Sequence, residues 1–340
     1  MALNLVLFQP QPVTVLTVKK APKFLARLTA SDLSKLAVGS LERTVMLNAS
    51  GGIIGTVIAV RTETDTYELF LYGDKADVRE AWIRQVSAAF DAEIEGRHLC
   101  GFLYAGEMPV DAAKTTPNTA KEESEISFLN LRWIQLVTGP EANIKALHEN
   151  LTAAGAQAGA QEGLDALRIL AKEPAEGLEF DENTSPLECG FEDVLDFSDP
   201  ERIFIGRALT EARFKAGGYD RMHLVAFETA FDPALLVDVP MIVMGDTGYQ
   251  LTSIARIPEI PLTAGLVRLP YTVNVGAHVA ADVKTDPRSY CEKALVVDAQ
   301  VLVFLKKGRA CPSVFLKCFG SVSARVQVIP WVRCGRQPCL

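Results

Sequence analysis

An α+β fold that ends in a small β-barrel follows from three patterns in the chain. Short apolar runs separated by turn residues between positions 43 and 72 form a strand meander. Amphipathic segments at three- and four-residue spacing follow it, and several short apolar runs broken by Pro, Gly and Asp occupy the region beyond Gly217-Gly218.

Each element can be justified in order. Val13 to Val18 reads as a strand and Pro22 to Leu28 as a helix. Arg43 to Asn48 and Ile53 to Arg61 are apolar runs flanking Ala49-Ser50-Gly51-Gly52, a hairpin signal. After a turn at Thr62 to Asp65, Tyr67 to Tyr72 adds a third strand. From Asp74 onward Val78, Ala81, Trp82, Val86, Ala89 and Phe90 mark the face of a helix expected to pack on that sheet. Strands followed by a covering helix make an α+β module. Gly106 to Ser127 is polar and reads as an exposed loop. Trp133 to Val137 reads as a strand ending at Gly139-Pro140. A helix follows with Ile144, Leu147, Leu151 and Ala154 on one face and Gly155 as its stop. A third helix runs from Gln161 to Ala171 with Leu164, Leu167 and Leu170 toward the core.

Phe204-Ile205-Gly206-Arg207 opens a short helical pattern, Ala208 to Ala216, and a boundary falls here, dividing 1–205 from 206–340. The apolar runs beyond it are Leu224 to Phe227, Met241 to Met244, Leu266 to Leu269, Ala294 to Phe304 and Ser321 to Val328. They suggest a small barrel or sandwich.

Composition narrows the function classes. With 340 residues, 49% hydrophobic and 22% charged, the chain has the make-up of globular domains that build their own cores. The run from Ala294 to Leu305 is interrupted by Asp298 and Gln300 and falls short of the roughly 20 residues that cross a bilayer. A net charge of −8 argues against nucleic-acid binding over the whole surface. The charge is uneven, however. Ala299 to Leu340 has no acidic residue and carries Lys306, Lys307, Arg309, Lys317, Arg325, Arg333 and Arg336, whereas Glu173 to Glu201 is rich in Asp and Glu. A basic tail of this kind calls for an acidic or polyanionic neighbour.

The first 31 residues lack Asp and Glu and carry Lys19, Lys20, Lys23 and Arg27, a bias shared with organelle presequences. The strand and helix they encode are needed by the fold, so any targeting peptide is expected to have been removed from this numbering. Of seven cysteines, Cys311, Cys318, Cys334 and Cys339 lie near the end. Their spacing is not that of a zinc ribbon, and thiols in a reducing compartment are the preferred reading. His98, His148, His223 and His278 are scattered, and no metal ligand set is expected.

Met46-Leu47-Asn48-Ala49-Ser50-Gly51-Gly52-Ile53-Ile54 resembles the M-L-N-x-x-G-G-x-x hairpin of glycine-cleavage T-proteins, the aminomethyltransferases. Leu164-Asp165-Ala166-Leu167-Arg168 is similar to that family's R-D-x-L-R helix. Asp181 to Leu187 is similar to D-E-T-x-S-P-L, and Phe204 to Leu209 to F-I-G-R-x-A-L. Four motifs in the same order cover roughly the first two thirds of the chain. The resemblance implies a cloverleaf of two intertwined α+β domains around a central folate channel, followed by a β-barrel. Asn48, Gly51, Gly52, Asp165 and Arg168 are its candidate folate-channel residues, bordering a cavity between positions 48–56 and 165–168.

The family's chemistry needs a carboxylate after the glycine pair, in G-G-x-x-D-D, to hold and activate the folate nitrogen. Here Gly55 and Thr56 occupy those positions. Neither a hydrogen nor a hydroxyl supplies negative charge near neutral pH. The family's Tyr before M-L-N is Arg43, its first Arg of R-D-x-L-R is Leu164, and its G-Y-T-G-E-x-G-Y-E segment has no counterpart. The K-G-C-Y-x-G-Q-E motif of the iron–sulfur assembly relatives is replaced by Arg202 to Leu209 without a cysteine, and Cys189 lies outside it.

The expectation is a non-catalytic T-protein-fold subunit of a larger mitochondrial assembly, with protein partners and no cofactor. Its alternatives are a tetrahydrofolate-dependent aminomethyltransferase or demethylase, and an iron–sulfur assembly factor-like folate-binding protein. Cytoplasmic location is the alternative to mitochondrial. Contact of the basic tail with nucleic acid or an anionic surface is the remaining partner class.

Overall fold

The computed structural model describes residues 5–109, 126–131, 134–257, 261–286 and 289–297. The chain begins with β1 (Leu5–Leu7) and β2 (Gln11–Lys19), then α1 (Pro22–Leu28), and a meander of β3 (Leu41–Leu47), β4 (Ile53–Glu63) and β5 (Thr66–Tyr72). Next come α2 (Ala76–Ser87), β6 (Glu93–Gly106), β7 (Ser127–Asn130), β8 (Gln135–Gly139), α3 (Glu141–Ala153), β9 (Gln157–Ala158) and α4 (Gln161–Leu170).

These strands form one branched nine-stranded sheet, ordered β3-β4-β5-β2-β6-β1-β9, with β8 pairing both β6 and β7. The seam is β6. Its first part pairs antiparallel with β2, from Lys19↔Glu93 to Gln11↔Gly101, and its last part pairs with β8 and β1. Because β1 pairs β9 through Val6↔Gln157, the amino-terminal strand lies among the later strands. This is the intertwining that the resemblance implied.

β6 was not anticipated from the sequence. Glu93 to His98 is mostly exposed and contains Gly96, so its alternation is weak. Gly101 is required for packing, because a Cβ there would meet the Val137 carbonyl oxygen at 2.7 Å and Val13 Cγ2 at 3.0 Å.

α1 starts with Pro22 in the first helical turn, where its missing N–H costs nothing, and buries Phe24, Leu25 and Leu28 against Leu16, Val18 and Met46. α2 also lies on this sheet, but partly rotated from the expected face. Val78 is 51% exposed, and Ala81 and Ala89 face solvent. The stripe that packs is Ala76, Arg79, Trp82, Ile83, Val86 and Phe90, with Ile83 fully buried, so Trp82, Val86 and Phe90 of the expected face do pack. An arginine on the inner face hid this register, since charged residues are ordinarily assigned to water. α3 stops where expected, with Gly155 in the left-handed region (φ 97°).

α4 is a wedge. Leu164 and Leu167 face the sheet, with Val13, Val15 and Phe70, while Ala166, Ile169 and Leu170 pack on Leu224, Ala255, Ala264 and Leu266 of the following domain. That domain is entered through α5 (Arg207–Ala216), which ends at Gly217 and Gly218, both with positive φ. It comprises β10 (Arg221–Phe227), β11 (Met241–Met244), β12 (Thr247–Ile257), β13 (Leu262–Leu269), β14 (His278–Thr285) and β15 (Ser289–Val297). They close into a barrel in the order β10-β13-β12-β11-β14-β15. Val225, Ile242, Leu251, Val267, Val283 and Val296, one from each strand, share its core.

Of the expected late strands, Ala294 to Val297 lies in β15, while the rest of that run and Ser321 to Val328 lie outside the described residues. The basic tail, its cysteines, Trp133 and positions 110–125 of the polar loop also lie outside them. β12 and β14, which the apolar runs did not mark, complete the barrel. Among the described residues no helix is long and apolar enough to cross a membrane.

Candidate functional site

The β3–β4 hairpin is built around Asn48. Its Oδ1 accepts from the backbone N–H of Ser50 and of Gly52 (both 3.0 Å) and from the Ser50 hydroxyl (2.6 Å), while its Nδ2 donates to the Glu182 carbonyl (2.7 Å). The glycine pair is there for close approach. A Cβ on Gly52 would lie 1.8 Å from the Glu182 carbonyl oxygen, and one on Gly51 (φ 84°) would lie 2.9 Å from Thr210 Oγ1 of α5. Gly206 answers from the other side, since its Cβ would meet the Asn48 carbonyl oxygen at 2.6 Å.

Three of the four motifs that carry the resemblance therefore meet at one backbone junction. The 181–188 segment is ordered by its own caps. Asp181 accepts from the Thr184 hydroxyl (2.8 Å) and the Asn183 N–H (2.9 Å), which hold its carboxyl below the ordinary range, and Ser185 and Glu188 form a reciprocal capping box. A cleft of about 170 Å³ sits here, lined by Ser50, Gly51, Gly52, Asn183, Ser185, Leu209, Thr210 and Arg213. Residues 165–168 do not line it.

Gly55, where the family pattern has a carboxylate, lies under Arg79 of α2. A Cβ at Gly55 would meet Arg79 Cδ at 2.6 Å and Cγ at 2.8 Å. The Arg79 side chain is 5% exposed, and its guanidinium donates to Glu176 Oε2 (2.9 Å) and the Tyr72 carbonyl (2.7 Å), with Nε unpartnered. Burial lowers its pKa and Glu176 opposes that. Lys75 also reaches Glu176, at 3.4 Å. The one-carbon carrier of the T-protein needs a carboxylate at this position. The residues present do not fit that need, because an aliphatic arginine stem fills the space and Glu176 is engaged by two cations.

Glu176 belongs to a strap, residues 173–179, that carries a glutamate at every third position. Glu173 pairs with Arg43 of β3, whose guanidinium lies 4.9 Å from the Phe191 ring centroid. Glu179, 1% exposed, accepts from Arg168 Nη1 (2.8 Å), Ser253 Oγ (2.5 Å), Thr252 Oγ1 (2.7 Å) and the Ala175 N–H (2.9 Å). Arg168 also donates to Ser253 Oγ (2.7 Å) and to the Glu173 carbonyl (3.0 Å), and Arg268 donates to the Glu179 carbonyl. A charge this deeply buried is tolerated only when so fully bonded.

Of the candidate channel residues, Asn48, Gly51 and Gly52 thus meet at the hairpin junction. Arg168 lies in a buried network tying α4 and the strap to β12, and Asp165 lies at its edge, 3.7 Å from Arg168 Nε and 40% exposed. Thr56 is half-buried on β4 beside Gly55. Sequence reasoning missed Arg79, Glu173, Glu176, Glu179 and Ser253. Two signals were present: the three-residue glutamate repeat, and an arginine in phase with Ala76, Ile83, Val86 and Phe90.

Among the described residues no group of three or more His, Cys, Asp or Glu side chains is placed to hold a metal ion. Cys189 is fully buried and burial pushes its thiol pKa up. Burial pushes His223 down to about 4.

No protein-family model matches the chain. Over 207 residues it is 27% identical to an aminomethyltransferase of Francisella philomiragia, a match covering 56% of this chain and 58% of that relative, so the alignment spans little more than half the relative's length. The crystal structure of the glycine cleavage system aminomethyltransferase T from Bartonella henselae superposes with a TM-score of 0.71 at 16% identity, covering 87% of this chain and 85% of that one. With its intertwined α+β sheet, its closed six-stranded barrel and these two likenesses, the chain has the aminomethyltransferase T-protein fold in a widely diverged sequence.

Proposed function

We propose that this chain uses the T-protein fold as a non-catalytic, protein-binding subunit of a larger mitochondrial assembly. The observation that carries the reading is Arg79 lying across Gly55. Where the family's chemistry needs a carboxylate, this chain has a hydrogen, and the vacated volume holds the stem of a buried arginine committed to Glu176. Electrostatic work on a reacting nitrogen needs a fixed negative charge aimed at it. Here the carboxylate that holds Arg79 over Gly55, that of Glu176, is itself paired with Arg79 and Lys75.

The retained motifs are accounted for without a ligand, since Asn48, Gly51, Gly52 and Gly206 hold segments of backbone against one another. What this leaves for function is surface, and interfaces require shape and exposed side chains rather than carboxylates.

Calorimetric titration of the full chain with tetrahydrofolate tests the first half of the reading and is expected to show no saturable heat. Micromolar binding that Asp165→Ala abolishes would replace it with the alternative of a folate-dependent aminomethyltransferase or demethylase; the Francisella relative is named an aminomethyltransferase. Native-source purification tests the second half: the chain is expected in a defined complex in the mitochondrial fraction, and recovery as a lone monomer would overturn that.

A further inference from the structure

An open cavity of about 510 Å³ that shares no lining residue with the hairpin cleft lies between α1 and the 199–203 segment. The two walls are stitched together, with Arg27 Nη1 donating to the Ile203 carbonyl (3.3 Å) and the Ile205 N–H to the Arg27 carbonyl (3.0 Å). Lys23 and Arg27, one helical turn apart, give the α1 wall its positive charge, and Asp199 and Glu201 give the other its negative charge.

Among the described residues none of these four is in an ion pair, so the opposite charges that share the cavity stand more than 4.0 Å apart. The floor carries a third pair of charges that is already settled. Arg202, 7% exposed, gives its Nη groups to the carbonyls of Thr29, Ala30, Ser31 and Asp196, and Asp32 accepts from Ser34 and pairs with Lys35. Apolar surface comes from Ala26, from Phe90, whose ring leans on Phe24 at 5.8 Å, and from Ile203, 65% exposed.

From this arrangement we infer that the cavity binds a short apolar peptide of dipeptide size with both termini free. The α1 wall would receive its carboxylate, and Asp199 and Glu201 its ammonium group. Size and charge argue together. The volume lies within the ~300–1,000 Å³ of ligand pockets, and at ~3.5 Å per residue a dipeptide separates its terminal charges by more than a free amino acid does. Equal numbers of cations and carboxylates in the lining favour a ligand that is neutral overall and charged at each end.

The inference stands apart from the proposed function, because none of these residues belongs to the hairpin junction or the strap. Leucyl-leucine titrated into the full chain is the test, beside its N-acetylated and C-amidated forms. The free dipeptide is expected to bind, and each blocking group to weaken it by about tenfold, the scale of one charge-assisted contact. Lys23→Gln should weaken the free dipeptide by a similar factor and leave the amidated form unchanged. Glu201→Gln should do the same with respect to the acetylated form. Both side chains are exposed, so the fold is expected to survive, as a far-ultraviolet circular dichroism spectrum would verify. Equal binding of the free and blocked peptides, or no saturation by leucyl-leucine up to ~10 mM, overturns the assignment.

Discussion

Gly55 and Arg79 form a complementary pair in which one side chain exists because the other does not. Adding a methyl group at position 55 drives it into the middle of the Arg79 stem, which is held at its far end by Glu176 and the Tyr72 carbonyl and so has little freedom to yield. Gly55→Ala is expected to cost about 1–3 kcal/mol by overpacking. Combined with Arg79→Ala it should cost less than the sum of the two single changes, and denaturant titration of the four-protein cycle reads the coupling directly. Additive costs would mean that the contact is not what excludes a side chain there.

Glu179 supports a second prediction about a single residue. It is buried beneath Arg168 and bonded to Ser253 and Thr252, so Glu179→Leu leaves the buried guanidinium with only the half-exposed Asp165, 3.7 Å away, as counter-charge. The expected loss is about 3–5 kcal/mol. Glu179→Leu with Arg168→Met, which removes both charges, should recover much of it. A single change that leaves the midpoint of urea unfolding untouched would remove the network from the account of stability.

Helix α2 shows how a charged residue can shift the reading of a whole element. A stripe through Val78 and Ala81 is the natural assignment if Arg79 is given to solvent. In the fold Arg79 replaces an apolar residue in the stripe because Glu176 and a backbone carbonyl satisfy it. Val78→Lys is accordingly expected to be neutral within about 0.5 kcal/mol. Ile83→Ala, at a position with no exposure, should cost about 2–5 kcal/mol. Thermal unfolding of the two variants distinguishes this register from one in which Val78 packs inward. In α4 the same separation of faces operates between two domains, with Leu167 on the sheet and Ile169 on the barrel, and this wedge is why one short helix can hold the two together.

Across the whole molecule, acid sensitivity should be visible above the carboxylate range. His223 on β10 is held neutral, with burial as the main cause and Lys172 and Arg221 adding to it, so its pKa falls from 6.5 to about 4. A histidine depressed in the folded state contributes stability that is present above the unfolded value and is lost as pH falls through the folded one. Stability is therefore expected to decline between pH 6.5 and 4, and His223→Gln should flatten that part of the curve. A melting temperature independent of pH across this window in the parent chain would count against the buried neutral imidazole.

Local information was enough for much of this architecture. Periodicity located the meander, α3 and α4, because each has an apolar face set by neighbouring residues, whereas α5, which buries Arg207 and Thr210, was marked by its Gly217-Gly218 stop. Asn48, Gly51, Gly52 and the 181–187 segment could be singled out by their order along the chain, and Gly55 by what it lacks. The strand β6, the rotation of α2 and the strap of glutamates were hidden for a common reason. Their polar and glycine residues make sense only beside partners distant in sequence: Val137 for Gly101, Glu176 for Arg79, and Ser253 for Glu179 and Arg168. A buried charge or a missing side chain is unfavourable on its own and becomes acceptable once a remote group bonds to it or fills the space. No reading confined to neighbours along the chain contains that term.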